Sequence, residues 1–323
     1  MASLGREIGR IAVTGASGFI GRRLVRHLES NGCTVSPWSR PQTDLLDARS
    51  VARAIERDQP DTIFHLAATG VSASQAHDAT VIGCDVAMVA NLIAAAPSGT
   101  RILLAGSMSE YGRAGRLIET DRCMPSTAYG IAKLASGRYA LAYGPKYGLD
   151  IAVLRLFGVY GPGEAPNRLF TALIEALDAG RPVDLSDGTQ RRDFVHVDDV
   201  CATMMHLAGI VDLGSDPVIN IGTGQSVCIR DVATWIADSV GAPHDLLRFG
   251  ARPRSPGDEA LLEANVARLT RLAGSVPPQR LSRGLSSNLL REGADSYLPL
   301  PNRSGSFSRN QATVSATPSS KDT

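Results

Sequence analysis

The chain has 323 residues, 43% of them hydrophobic, enough for one large α/β unit or two interleaved lobes with a real core. A formal net charge of +1 argues against a nucleic-acid or membrane-surface footprint, and no apolar run approaches the ~18–20 residues of a membrane span. Five Cys without C-x-x-C spacing suit free thiols in a reducing cytosol and the six His form no H-E-x-x-H pair, so the expectation is a cytoplasmic protein without a metal or an export signal.

Residues 1–9 read as an unstructured leader. Ile11–Ala12–Val13–Thr14 reads as a short buried strand that runs into Gly15–Ala16–Ser17–Gly18–Phe19–Ile20–Gly21, and Ile20, Leu24 and Leu28 then give a helical stripe ending near Asn31–Gly32. Glycines spaced this way at a strand-to-helix turn have separate uses. Gly15 turns the chain tightly, Gly18 lets backbone approach a pyrophosphate, and Gly21 lets the helix pack on the strand, while the helix start offers N–H groups to phosphate. Ser17, Phe19 and Ile20 share the turn and are assigned with it to dinucleotide binding. The second strand, from Cys33 to Trp38, is followed by Ser39 and Arg40, with no acid before Asp44. An acid here would bind both adenosine-ribose hydroxyls and repel a 2′-phosphate, whereas Arg40 would attract one, so NADP(H) is favoured and NAD(H) stays open.

A helix over 48–57 leads to a third strand at Thr62–Ala68, whose small last residues permit close approach of a cofactor; His65 reads as a hydrogen-bonded core residue. A helix over 81–95 precedes a fourth strand, Arg101–Gly106, which delivers Ser107, Met108, Ser109, Glu110 and Tyr111 at its C-terminal edge, where open parallel sheets bind ligands. The segment 127–143 reads as a helix that carries Tyr129 and Lys133 four residues apart on one face. An ammonium beside a phenol favours the phenolate, and only three of the 33 Lys and Arg residues are Lys, so the choice of Lys over Arg at this position is informative.

A strand at 150–157 completes an alternation that implies an α/β fold, a Rossmann-type doubly wound parallel sheet over 8–165. A strand near 217–222 is expected to return to that sheet. Residues 166–292 are read as a smaller C-terminal α/β substrate lobe, with helices at 169–177, 229–240, 261–272 and 281–290. The Ser-, Asn-, Thr- and Pro-rich stretch 293–323 reads as a disordered tail.

Taken together, Thr14–Gly21, Asp44–Leu45, His65–Leu66–Ala67–Ala68, Ser107, Tyr129-x-x-x-Lys133, Tyr160–Gly161–Pro162, Arg192–Asp193 with Val197–Asp198–Asp199, and Asn220–Ile221–Gly222 resemble the extended short-chain dehydrogenase/reductases of the NAD-dependent epimerase/dehydratase family, which modify nucleotide sugars. The resemblance runs from about Arg10 to Leu290. It implies that Tyr129 is the acid/base, that Lys133 tunes it and binds the nicotinamide ribose, and that Ser107 holds the same substrate oxygen. It places Asp44 and Leu45 at the adenine, with Leu66, Ala67 and Ala68 along the cofactor. It puts Arg192 at the pyrophosphate of a nucleotide-sugar substrate, with Ser109, Arg168, Leu169 and either Arg252 or Arg254 as further contacts. It also implies a homodimer built through the Tyr–Lys helix.

The departures narrow the reaction. The dehydratases of this family place Asp and Glu directly after the active-site hydroxyl, where this chain has Met108 and Ser109, leaving only Glu110 in doubt. Asp85 stands where Asn is usual. The short connection between the second and third strands and the run Ser109–Glu110–Tyr111–Gly112 resemble reductases of 4-keto-6-deoxyhexoses. The expected activity is therefore reduction at C4. A nucleotide-sugar 4-epimerase is the alternative, and a non-catalytic dinucleotide-binding regulator is the reading from another class.

Overall fold

A computed structural model describes residues 5–69, 78, 80–254, 258–283, 285 and 286; the tail 293–323 lies outside the described residues. In chain order the first half holds β1 (Ile11–Thr14), α1 (Phe19–Ser30), β2 (Val35–Trp38), α2 (Ala48–Asp58), β3 (Thr62–His65), α3 (Thr80–Ala95), β4 (Arg101–Ser107), β5 (Gly115–Leu117), α4 (Ala128–Tyr143) and β6 (Asp150–Leu156). The second half holds β7 (Gly158–Tyr160), α5 (Leu169–Asp178), β8 (Val183–Leu185), β9 (Arg191–His196), α6 (Val197–Ala208), β10 (Val218–Ile221), β11 (Ser226–Cys228), α7 (Ile229–Val240), β12 (Leu247–Phe249), β13 (Leu261–Ala264) and α8 (Ala267–Ala273).

Six strands form the main sheet in the order β10-β6-β4-β3-β1-β2, every neighbouring pair parallel. Strands in such a sheet are covered on both faces, and β1 and β3 are accordingly buried at every residue. The exception explains itself: β2 carries Pro37, which has no N–H for a ladder, and β2 is the edge strand. One face is packed by α1, α6 and α8 through Leu24, Leu28, Val200, Met204 and Leu269. The other is packed by α2, α3 and α4 through Val51, Ile55, Leu92, Ile93 and Ala140. The strand order reverses between β1 and β3, and the crevice at that reversal is where ligands sit in folds of this type.

Side-chain caps define the helices that frame this crevice. Asp47 accepts from the Arg49 N–H at the start of α2, and Thr127 accepts from Gly130 N–H (3.1 Å) at the start of α4. A second sheet, β11-β9-β13-β5 with β7 beside β9, and a two-stranded pair β12-β8 make up the rest.

The structure corrects two expectations here. The helix expected over 261–272 is split: Leu261–Ala264 is a strand between β9 and β5, and only Ala267–Ala273 is helical. Leu-Leu-Glu-Ala favours a helix in isolation, but two waiting strand edges override a local preference of a few tenths of a kcal/mol per residue, a rough figure. The helical piece expected over 281–290 is absent from its described residues (281–283, 285 and 286), where Leu281 and Leu285 pack into the apolar cluster around α5 and α7 and the Leu285 N–H bonds the Ser282 carbonyl (3.1 Å).

Candidate active site

The glycine turn is fixed by backbone contacts. Gly15 has φ +64°, and a Cβ there would lie 2.7 Å from the Ala67 nitrogen; one at Gly21 would lie 2.1 Å from the Gly15 carbonyl oxygen. Gly18 is different: it is exposed, a Cβ there would meet only the Gly15 oxygen, at 3.1 Å, and it starts α1 without a side-chain cap. Ser17 is exposed beside it, with Phe19 and Ile20 half-buried. Two glycines thus hold the turn together, while the third leaves the head of the helix open to a phosphate.

Thr14 ties this turn to the end of β3. Its hydroxyl accepts from the N–H groups of Leu66 and Ala67 (3.2 Å each) and faces His65 Nδ1 at 2.9 Å. With both acceptor positions used, its hydrogen goes to Nδ1, so the imidazole carries its own proton on Nε2. Burial, assisted by the nearby Lys133 charge, depresses the His65 pKa to about 3. His65 is a neutral core residue, and Leu66, Ala67 and Ala68 are half-buried beside the crevice.

At the end of β2, Trp38 is buried and donates from its indole to Asp58 (2.6 Å), Ser39 is half-buried and Arg40 is exposed. Asp44 Oδ1 accepts from Leu46 N–H (3.0 Å), and buried Leu45 accepts at its carbonyl from Asn91 (2.9 Å). The first bond is internal to the loop between β2 and α2, and the second holds that loop against α3.

Ser107 ends β4 and caps a single 3₁₀ turn over Met108–Glu110. Its Oγ accepts from Ser109 N–H (3.1 Å), and its own N–H donates to Glu110 Oε1 (2.8 Å). The first turn of α4 rests on this turn, since a Cβ at Gly130 would lie 2.5 Å from the Ser109 carbonyl oxygen. Tyr129, the residue before Gly130, is half-buried, and the Lys133 ammonium lies 5.9 Å from the centre of its ring. Lys133 itself is only 5% exposed, with Asp85 Oδ2 at 3.9 Å. Glu110 is turned inward: at 1% exposure its Oε2 accepts from Arg155 Nε (2.8 Å). Arg155 continues the network to the Glu119 carbonyl and Cys123, while Tyr111, its hydroxyl on Asn220 (2.6 Å), is pushed up to about 12 by burial.

In the second sheet, Arg192 is nearly buried, donates to Asp258 and to the Arg191 carbonyl (2.8 Å), and burial lowers its pKa. Arg254, which shares the field of Asp258, is held by Asp187 at 2.9 and 3.0 Å. Arg252 is exposed, with its backbone N–H on the Leu185 carbonyl (3.3 Å). Arg168 is exposed at the head of α5, 3.6 Å from Glu164, and Leu169 is half-buried next to it.

The model of the NAD-dependent epimerase/dehydratase family matches residues 11–222. The chain belongs to that family. It is 32% identical to MoeE5, solved in complex with UDP-glucose and NAD, over 87% of this chain and 97% of that one, with a TM-score of 0.76. A UDP-glucose 4-epimerase of Mycolicibacterium smegmatis is 29% identical over 311 residues, covering 87% of this chain and 97% of the relative. A dTDP-6-deoxy-L-talose 4-dehydrogenase (NAD(P)(+)) of Kitasatospora kifunensis is 28% identical over 286 residues, covering 80% and 88%. Epimerase/dehydratase-family proteins use a nicotinamide dinucleotide, and these relatives are enzymes of nucleotide sugars.

Three acids around the site went unassigned in the sequence reading. Asp258 holds Arg192 of the second sheet and Asp187 holds Arg254 in the loop before β13, but across 66 and 67 residues no local spacing announces the pairs. Glu164 is buried with Oε2 unpartnered, and burial raises its pKa to about 7; its only sequence signal is the neighbouring Arg168 at i+4. Among the described residues no cluster of three or more His, Cys, Asp or Glu could hold a metal, and no helix is long and apolar enough to cross a membrane.

Proposed function

We propose that this chain is an NADP(H)-dependent reductase acting at C4 of a nucleotide-linked 4-keto-6-deoxyhexose. The observation that carries this reading is Glu110. Eliminating water needs a free acid and a free base beside the hydroxyl residue, and the first carboxylate after Ser107 in the chain is locked between Ser107 N–H and Arg155. What remains at the crevice is a set suited to moving one proton. Tyr129 gives its hydroxyl proton to the C4 oxygen, and the Lys133 ammonium stabilises the phenolate left behind. Ser107 Oγ is already an acceptor from Ser109 N–H, so its own hydrogen is available to the same C4 oxygen.

The bound nicotinamide supplies the hydride. Gly15, Ser17, Gly18, Phe19, Ile20 and Gly21 hold its pyrophosphate, Asp44 and Leu45 the adenine, and Tyr129 and Lys133 the ribose beside the ring. Exposed Arg40, with no acid at the end of β2, favours a 2′-phosphate. Arg192 receives the substrate pyrophosphate, with Arg168, Leu169, Ser109 and Arg252 as outer contacts. Homodimerisation through α4, the Tyr–Lys helix, is supported by Ile131, 38% exposed, with Leu134 and Ala135 half-buried beside it.

The test is to supply NADPH with TDP-, GDP-, CDP- and UDP-linked 4-keto-6-deoxyhexoses. Consumption of NADPH with formation of a C4 alcohol is expected, and no consumption with any of them sinks the reading. A 4-epimerase is the second reading, favoured by the 29% identity to the UDP-glucose 4-epimerase of Mycolicibacterium smegmatis and the 32% identity to MoeE5, which was solved with UDP-glucose and NAD. It predicts copurifying NAD and interconversion of C4 epimers without net cofactor use.

A further inference from the structure

Lys133 is 5% exposed, and a buried ammonium needs compensation. The elements packed around it offer few charges. From β3 comes His65, held neutral by Thr14. After β4 comes Glu110, committed to Arg155. The charged side chains of α2 are exposed except Asp58, which binds Trp38 and Arg57. From α4 itself Tyr129 lies against it, while Arg138 further along the helix is exposed. Among the described residues that leaves Asp85 on α3, 2% exposed and built for the purpose in an unusual way. Its Oδ1 takes both hydrogen bonds Thr69 can give, from N–H (2.8 Å) and hydroxyl (2.6 Å), so the carboxylate is pinned through one oxygen. Its Oδ2 is buried without a hydrogen-bond partner and lies 3.9 Å from Lys133 Nζ.

We propose that Asp85 is a positioning residue whose carboxylate is the counter-charge of Lys133, fixing the ammonium under Tyr129 and cancelling part of its field there. The inference rests on the reading of Tyr129 and Lys133 as the proton-moving pair. An Asn at this position could keep the Thr69 bonds but would leave the Lys133 field unopposed at the phenol. An Asp makes the phenolate harder to reach, which suits a tyrosine that must arrive protonated at a ketone.

Two measurements test this, and the first needs no catalysis. In a double-mutant cycle, Lys133→Met should lower the melting temperature by several degrees because it strands Asp85, and adding Asp85→Asn should restore most of that loss. Additive effects would overturn the proposal even if the protein proves to be a reductase. The second is the pH profile of turnover: Asp85→Asn should move the alkaline limb of ketone reduction to lower pH by about one unit, without a comparable change in KM. A limb that stays in place overturns it. Should Tyr129→Phe retain full turnover, the reading of the site fails instead, and the thermal cycle still stands on its own.

Discussion

Behind Ser107, Glu110 has one carboxylate oxygen on a backbone N–H and the other on a buried guanidinium, both at 2.8 Å. Behind Lys133, Asp85 has one oxygen on Thr69 and the other bare, facing an ammonium at 3.9 Å. Both carboxylates are about equally buried. The first wall is a closed network, in which every charge has directional partners and the geometry of the β4 turn is fixed. The second is open, so its charge is felt across the site rather than consumed locally. A closed pair stiffens a site and an open one tunes it, because in a low dielectric an unspent charge acts over several ångströms.

The largest effect is expected at the group that both walls serve. Tyr129→Phe removes the proton donor and should lower kcat about 10³–10⁴-fold, equivalent to roughly 4–5.5 kcal/mol, while the melting temperature stays within about a degree of wild type. Turnover and thermal unfolding on the same preparation check it. A loss of stability as large as the loss of rate would mean that Tyr129 is structural and that neither wall has a catalytic role.

Next comes the closed wall. Glu110→Gln leaves the Arg155 guanidinium, whose pKa Glu110 raises, buried without its carboxylate, and should cost about 3 kcal/mol in urea unfolding. Asp85→Asn keeps the Thr69 bonds and should cost markedly less. If the two substitutions cost the same, the distinction between a closed and an open wall is wrong.

The framework of this site could be read directly, and the walls could not. The parallel sheet, the glycine turn and the shared face of Tyr129 and Lys133 follow from periodicities of two and 3.6 and from glycine spacing, all of which act within about ten residues. The strand at Leu261–Ala264 was hidden because pairing with β5, some 145 residues earlier, decides it. The ion pairs were hidden for the same reason: Glu110 meets Arg155 and Arg192 meets Asp258 only after the sheets form. Asp85 is the intermediate case. It stood out as an acid where Asn is usual, but its meaning needed the distance to Lys133.

A smaller effect concerns the neutral neighbour on the open wall. His65 is protonated near pH 6.5 when unfolded and only near pH 3 when folded. Between those values the unfolded chain holds the extra proton, so the His65 contribution to stability should fall as pH falls, by up to about 1.4 kcal/mol per unit, and be flat above pH 6.5. Glu164 acts in the opposite direction between pH 4.5 and 7, so the effect is read as the difference in urea stability between wild type and His65→Gln, which should fall as pH falls from 6.5 to 5. A difference that does not change with pH would mean that His65 is not held neutral beside Lys133.

Glu164 sharpens the comparison because it is what an acid becomes with neither kind of wall. Its nearest cation is Arg168, 57% exposed and 3.6 Å away, and its Oε2 is buried without a partner. Burial therefore wins over the weak attraction, and the pKa rises to about 7. The unfolded group ionises near pH 4.5, so between pH 4.5 and 7 the folded chain binds the extra proton and stability falls as pH rises, with the full loss present above pH 7. Glu164→Gln abolishes this titration but leaves a buried amide with few partners, so the net gain at pH 8 should be only about 1 kcal/mol, and none is expected at pH 4.5. Urea midpoints of the two proteins at both pH values check the sign. A gain of equal size at pH 4.5 would show that the carboxylate is not the source, and that a bare oxygen in this fold need not signal an unspent charge.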